Sequence, residues 1–183
     1  VRLMGVSDDV VLDVTGLRVE FPTRDGVVRA VDGLSFSVRR GETLGIVGES
    51  GSGKSVTNLA LLGLLDKGAG RTGGTALYKG HDLLRMTGDE LRRIRGKEIA
   101  MIFQDPFASL HPMFRVGDQI VEAIRAHEQI SRKQARERVV ELLGEVGIAN
   151  PRERFRDYPH QYSGGMRQRA MIAMALVLNP ALL

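Results

Sequence analysis

The chain has 183 residues, 43% apolar and 26% charged, with a formal net charge of +4. That fits one domain with at most a small subdomain and excludes a disordered chain. The sequence has no cysteine, which excludes a disulfide scaffold, a cysteine-bearing zinc site and a thiol nucleophile.

Four histidines at 81, 111, 127 and 160 are too scattered to suggest a metal cluster. The longest apolar stretches, Leu59–Leu65 and Ala170–Leu178, fall short of a membrane span. Asp8 and Asp9 near the start, with no apolar run, argue against a signal peptide, so an intracellular protein is the expectation. Arginine outnumbers lysine 21 to 5 and is spread along the chain, which reads as a solvated face.

In chain order, Val10–Phe21 reads as a strand in which Leu17, Val19 and Phe21 alternate with Arg18 and Glu20. Asp25-Gly26 signals a turn into a second strand, Val28–Val38, with a break at Asp32-Gly33. Thr43–Val47 is a short run without polar alternation, which predicts a strand buried on both faces of a parallel sheet. A glycine-rich loop and an apolar helix over Ser55–Leu65 follow. Then come a loop at Gly68–Gly74, a short strand at Thr75–Tyr78, helical turns at Asp89–Arg95 and a second buried strand at Glu98–Phe103.

From Asp105 to Arg115 the character changes, with two prolines and exposed-looking Phe107, Met113 and Phe114. Helices are predicted over Val116–His127 and Ser131–Val146, the second capped by Ser131, striped by Ala135, Val139, Leu142, Leu143 and Val146, and closed by Gly147. A last helix, Gly165–Leu178, is apolar nearly all round and stops at Asn179-Pro180. The resulting division is a core over 1–105, a helical subdomain over 106–162, and a final helix with the start of a strand over 163–183.

The strongest signal is Gly48-Glu49-Ser50-Gly51-Ser52-Gly53-Lys54-Ser55, which fits the P-loop pattern at every fixed position. It lies between a strand and a helix, as the mechanism requires. Glycines let successive main-chain amides face an anion, and the helix start adds unpaired donors. Lys54 would reach the β- and γ-phosphates and the Ser55 hydroxyl would ligate Mg²⁺. The bland alternative is a glycine-rich turn without a ligand. The loop alone does not separate a transporter ATPase from a GTPase, a nucleotide kinase or a recombinase.

Tyr162-Ser163-Gly164-Gly165-Met166-Arg167-Gln168-Arg169 opens the last helix. Ser163 is a good N-cap, and Arg167 and Arg169 in the first turn are electrostatically misplaced unless an anion binds nearby. The alternative is a capped helix whose arginines reach solvent or a local carboxylate.

Ser163-Gly164-Gly165 followed by Met166-Arg167-Gln168-Arg169 resembles the signature motif of ATP-binding cassette (ABC) proteins, and Ile102-Phe103-Gln104-Asp105-Pro106 resembles their Q-loop. All three motifs stand in family order. The stretches Ala30–Val56, Met101–Pro112 and Tyr158–Met174 are similar to ATPase subunits of oligopeptide and dipeptide importers, a group that includes nickel importers. Tyr162 and Met166 depart from the general Leu and Gln, and Met166 fits the peptide-importer branch. His111 stands where that branch often has Asn.

The resemblance implies an α/β fold, a P-loop NTPase core with a parallel central sheet, N-terminal antiparallel strands and an inserted helical subdomain. It implies ATP and Mg²⁺ as ligands, held by residues 48–55 with Val56 beside them. Lys54 and Gln104 would act in hydrolysis, with Ser55 and Gln104 at Mg²⁺. Ser163, Gly164 and Gly165 would meet the γ-phosphate of ATP on a second cassette paired head-to-tail. Phe21 falls near the aromatic that stacks on adenine, although it equally shares a strand face with Leu17 and Val19.

Further implied partners are transmembrane permease subunits and, indirectly, an extracytoplasmic peptide-binding protein. The implied location is the cytoplasmic face of the cell membrane. Phe107, Met113 and Phe114 are candidates for the permease-docking surface, with subdomain core as the alternative. No nucleic acid is expected.

The Walker B aspartate and glutamate, the D-loop and the switch histidine of the family are not in this sequence. The expectation is therefore an N-terminal fragment or truncated product, lacking the C-terminal part of the core, that binds nucleotide but hydrolyses it poorly. Two other readings stay open: a DNA-repair or chromosome-organising ATPase, and a hydrolysis-deficient nucleotide-binding fragment. Against the first, Lys54 and Ser163 are too close in sequence for a long coiled coil, and there are no cysteines for zinc. A GTPase lacks support, since neither Asn-Lys-x-Asp nor a later Asp-x-x-Gly occurs.

Overall fold

Alternating side chains build the first element, β1 (Val10–Thr23), whose inward residues Leu12, Val14, Leu17 and Val19 are buried. It turns at Arg24-Asp25, one residue before the expected Asp25-Gly26, into β2 (Gly26–Arg39), pairing Thr23 with Gly26 and Val19 with Val31. The computed structural model describes residues 9–66, 68, 70–105 and 109–183. They form two compact units, a first ending at Arg92 and a second from Arg93 to Leu183.

In the first unit β3 (Arg71–Tyr78) lies on the other side of β1, and β4 (His81–Asp82) on its far edge, giving an antiparallel sheet of order β2-β1-β3-β4. Helix α1 (Lys54–Leu61) touches β1 and β2 and buries Thr57, Ala60 and Leu61. A 3-10 turn at Leu83–Arg85 follows β4, and α2 (Gly88–Ile94) closes the unit and runs on into the next.

The second unit gathers one apolar cluster from α3 (Val116–Arg125) and α4 (Arg132–Glu145), from Ile148 and Phe155 on either side of the short α5 (Pro151–Arg154), and from α6 (Gly164–Leu176). Ile120, Ile124, Val139 and Leu143 are fully buried at its centre, each worth roughly 1.5–3 kcal/mol of apolar burial. The unpaired amides at the start of α3 are satisfied by the chain just after α5: Val116 N–H donates to the Asp157 carbonyl (2.9 Å) and Gly117 N–H to the Phe155 carbonyl (3.1 Å). Gly117 is required there, because a Cβ would lie 2.3 Å from the Phe155 ring.

The two runs expected as parallel strands differ from expectation. Thr43–Val47 forms no ladder and is exposed, Val47 at 96%. Of Glu98–Phe103, Ile99 makes single parallel bridges to Arg95 and Leu182, while Ile102 and Phe103 are exposed. Every strand pairing in the described sheet is antiparallel. A strand inside a parallel sheet needs neighbours on both edges, and among the described residues Thr43–Val47 has neither.

Candidate functional site

The phosphate-loop candidate ends on Gly53, the N-cap of α1, at φ +88°. A side chain there is excluded twice, by the left-handed backbone and by the Ala30 carbonyl, which would sit 2.3 Å from a Cβ. This close approach seats the end of the loop on β2 beside Val31. Thr57, buried in α1, ties down the same point, its hydroxyl donating to the Gly53 carbonyl at 3.0 Å. The sequence reading missed Thr57; its signal was a hydroxyl four residues after the last loop glycine.

Residues 48–52 are exposed, with a turn closed by Ser52 N–H on the Glu49 carbonyl (3.2 Å). Lys54 arches back over this turn. Its Nζ donates to the carbonyls of Gly48 (2.7 Å) and Glu49 (2.6 Å) and to Ser52 Oγ (3.1 Å). A Cβ on Gly48 would meet Ser52 Oγ at 2.5 Å and would turn that hydroxyl away from Lys54. Ser55 is exposed and Val56 half-buried in the first turn of α1, which holds no acidic residue to compete with an anion.

Phe21 belongs to the same unit. Val19, two residues before it, pairs with Val31, on which Gly53 rests. At roughly 3.4 Å per residue, Phe21 stands about 7 Å further along β1. Its side chain is half-buried.

In the second unit Gln104 is exposed, on a bend after the Ile99 bridge. Ser163 caps α6, its hydroxyl accepting from Met166 N–H at 3.3 Å, and Ser163, Gly164 and Gly165 are all exposed. The two misplaced arginines find main-chain oxygen: Arg167 Nε donates to the Pro159 carbonyl (2.7 Å) and Arg169 to that of Gly147. Tyr162, just before the cap, is buried and donates its hydroxyl to the Arg154 carbonyl (2.9 Å). Burial, then the Asp157 carboxylate, pushes the phenol up to about 12.

Met113 and Phe114 are 74% and 58% exposed, so neither is subdomain core. Gln119 holds their loop, donating to the carbonyls of His111 and Phe114. Phe107 lies outside the described residues, as does Pro106. No group of three or more His, Cys, Asp or Glu side chains suited to a metal occurs among the described residues. No described helix is long and apolar enough to cross a membrane.

The family profile described as ABC transporter matches residues 31–183. The chain is 52% identical to the probable peptide ABC transporter ATP-binding protein y4tR of Sinorhizobium fredii, over 96% of this chain and 52% of that protein. It is 52% identical to the oligopeptide transport ATP-binding protein OppD of Escherichia coli, again over 96% and 52%. Against the dipeptide transport ATP-binding protein DppD of Bacillus subtilis it is 51% identical over 94% and 52%. The chain thus spans about half the length of the curated relatives it matches. Among solved structures, the dimeric bacterial ABC transporter cassette MJ0796 superposes with a TM-score of 0.80 at 26% identity, over 92% of this chain and 70% of that one. For cbiO1 from Clostridium perfringens, part of the ABC transporter complex cbiONQ, the score is 0.70 at 26% identity, over 94% and 63%.

Proposed function

The chain belongs to the ABC transporter family, and from that premise we propose that it is the nucleotide-binding part of an energy-coupling ATPase serving an importer of di- and oligopeptides. The observation that carries this reading is the loop at 48–55, anchored on β2 through Gly53 with Lys54 arched across it. The names of the relatives support the peptide cargo.

The nucleotide is ATP. Main-chain amides of the exposed loop and of the first turn of α1 take its phosphate oxygens. Lys54 supplies the counter-charge. Its ammonium now rests on two carbonyls and a hydroxyl, and a phosphate oxygen offers it a stronger charge-assisted bond. The donor set fits Mg²⁺, because the Ser55 hydroxyl is exposed one residue after Lys54 and a magnesium ion takes few protein ligands beside phosphate and water. The ion would screen charge building up on the transferring phosphate. Phe21 stacks on the base.

Gln104 and the Ser163–Gly165 start of α6 act from the second unit. Gln104 reports the nucleotide state, and Ser163 with the two exposed glycines meets the γ-phosphate on a partner cassette, its arginines already anchored on carbonyls. Hydrolysis belongs to the full-length form, at the cytoplasmic face of a membrane, with Met113 and Phe114 in the surface that meets the permease subunits.

Calorimetry of the folded chain with MgATP tests the nucleotide reading. Binding is expected, and Lys54→Ala should abolish it without lowering the unfolding midpoint. No binding by folded protein, or no effect of the alanine, overturns it. For the cargo, the full-length form reconstituted with its membrane subunits should hydrolyse ATP faster when peptide is supplied; indifference to peptide overturns that part alone.

A further inference from the structure

Gly70 lies one residue beyond the end of the β1–β3 ladder, where Glu20 pairs with Arg71, and so stands opposite Phe21. Its backbone is not in the left-handed region, so conformation alone does not call for glycine. Space does. A Cβ on Gly70 would lie 3.0 Å from Phe21 Cε1, 3.3 Å from Cδ1 and 3.5 Å from the Glu20 carbonyl oxygen. The first two distances are tighter than ordinary carbon contacts, so a Cβ there pushes the ring edge back by a few tenths of an ångström, and a larger side chain pushes it further.

That contact fixes how low the Phe21 ring lies on the sheet. The ring is half-buried, with one edge against Gly70. The loop end at Gly53 is seated on Val31 of β2, whose partner on β1 is Val19, so the strand that carries the ring is paired directly with the strand that carries the loop. A base lying on the ring while its phosphates occupy the loop needs the two at matched depth. A raised ring spoils base stacking and leaves the phosphate cradle alone.

We propose that Gly70 is a positioning residue for the nucleobase, setting the height of the Phe21 ring against which the base stacks. This rests on the reading of Phe21 and residues 48–55 as one nucleotide site. It extends that site to a residue that touches no nucleotide.

The test is calorimetric titration of the chain with MgATP and, separately, with magnesium tripolyphosphate, which has the phosphates without the base. Gly70→Val should weaken ATP about five- to tenfold, part of the value of a base–aromatic stack, and leave tripolyphosphate within twofold. Gly70→Ala should move ATP the same way by less and covers the case in which valine prevents folding. In a Phe21→Ala background the Gly70 substitutions should add nothing.

The inference is overturned if Phe21→Ala weakens ATP but neither Gly70 variant does, if tripolyphosphate weakens in step with ATP, or if the Gly70 effect persists without the ring. Binding of both ligands with no effect of Phe21→Ala would overturn the stacking reading while sparing the phosphate loop. Binding of neither by the folded wild-type chain would overturn the loop, and this inference with it.

Discussion

The Tyr162 hydroxyl donates to the Arg154 carbonyl across 2.9 Å, linking the residue before the α6 cap to the end of α5. The same carbonyl accepts Asp157 N–H at 3.0 Å, so it keeps a partner when the phenol is removed. Tyr162→Phe should therefore cost only about 0.5–1.5 kcal/mol of stability near neutral pH.

The pH dependence has a definite sign. The folded phenol titrates at about 12, above its ordinary 10.0, so the folded chain holds the proton more tightly. This stabilisation is complete below pH 10 and is lost as pH rises towards 12, a swing on the order of 2–3 kcal/mol. Urea unfolding at pH 8, 10 and 11.5 should show wild type losing stability faster than Tyr162→Phe. Parallel curves for the two proteins would place the phenol in solvent.

Ser131 makes both halves of a capping box with Gln134. Its hydroxyl accepts Gln134 N–H (3.2 Å), and Gln134 Oε1 accepts Ser131 N–H (3.1 Å). Ser131→Ala should lower stability by about 1 kcal/mol, and Gln134→Ala by less. Chemical denaturation followed by circular dichroism at 222 nm measures both. An effect confined to Gln134 would contradict the assignment of the cap.

What was legible in the sequence is what neighbours along the chain decide. Alternation with the Asp25-Gly26 signal gives the β1–β2 hairpin to within one residue of its Arg24-Asp25 turn, and Ser131 with the stripe Ala135, Val139 and Leu143 gives α4 with its buried face. The P-loop pattern places a left-handed glycine directly before α1. What was not legible depends on distant partners. Thr43–Val47 has the composition of a buried strand, but its burial requires flanking strands that the described residues do not supply. Arg167 and Arg169 read as a charge conflict because carbonyls at Pro159 and Gly147, brought near by folding, leave no mark in the local pattern. Gly70 looked like one more loop glycine, since only the β1–β3 register sets it opposite Phe21.

Val47 turns that difference into a measurement. At 96% exposure, Val47→Lys should shift stability by no more than about 0.5 kcal/mol. The strand buried on both faces expected from composition would instead lose several kcal/mol on burying an unpaired ammonium. The exposed Leu44, Ile46 and Val47 should also bind a hydrophobic dye in the native state, less so after Val47→Lys. A large loss of stability with no dye binding would put Val47 inside a sheet.

Gly117 is held by packing alone. Its φ is not positive, yet a Cβ would come within 2.3 Å of two Phe155 ring carbons. Gly117→Ala should destabilise by about 1–3 kcal/mol, overcoming the better helix propensity of alanine. In a Phe155→Leu background the alanine should cost clearly less. Equal cost in both backgrounds, read from urea midpoints, would remove the ring as the cause.

Two loop glycines separate backbone strain from steric exclusion. Gly51 and Gly53 share the left-handed region, at φ +83° and +88°. A Cβ on Gly51 meets nothing within 4 Å, whereas one on Gly53 meets the Ala30 carbonyl oxygen at 2.3 Å. Gly51→Ala should cost only the conformational penalty, about 1–2 kcal/mol. Gly53→Ala adds a clash with β2 backbone, which cannot yield without disturbing the Val19–Val31 pair. The loop must lift away from the strand, so Gly53→Ala should lose MgATP binding as well as stability, while Gly51→Ala keeps measurable binding. Melting temperatures and calorimetric titrations of the two variants side by side decide it. Equal losses in both would mean that the loop is not seated on Ala30.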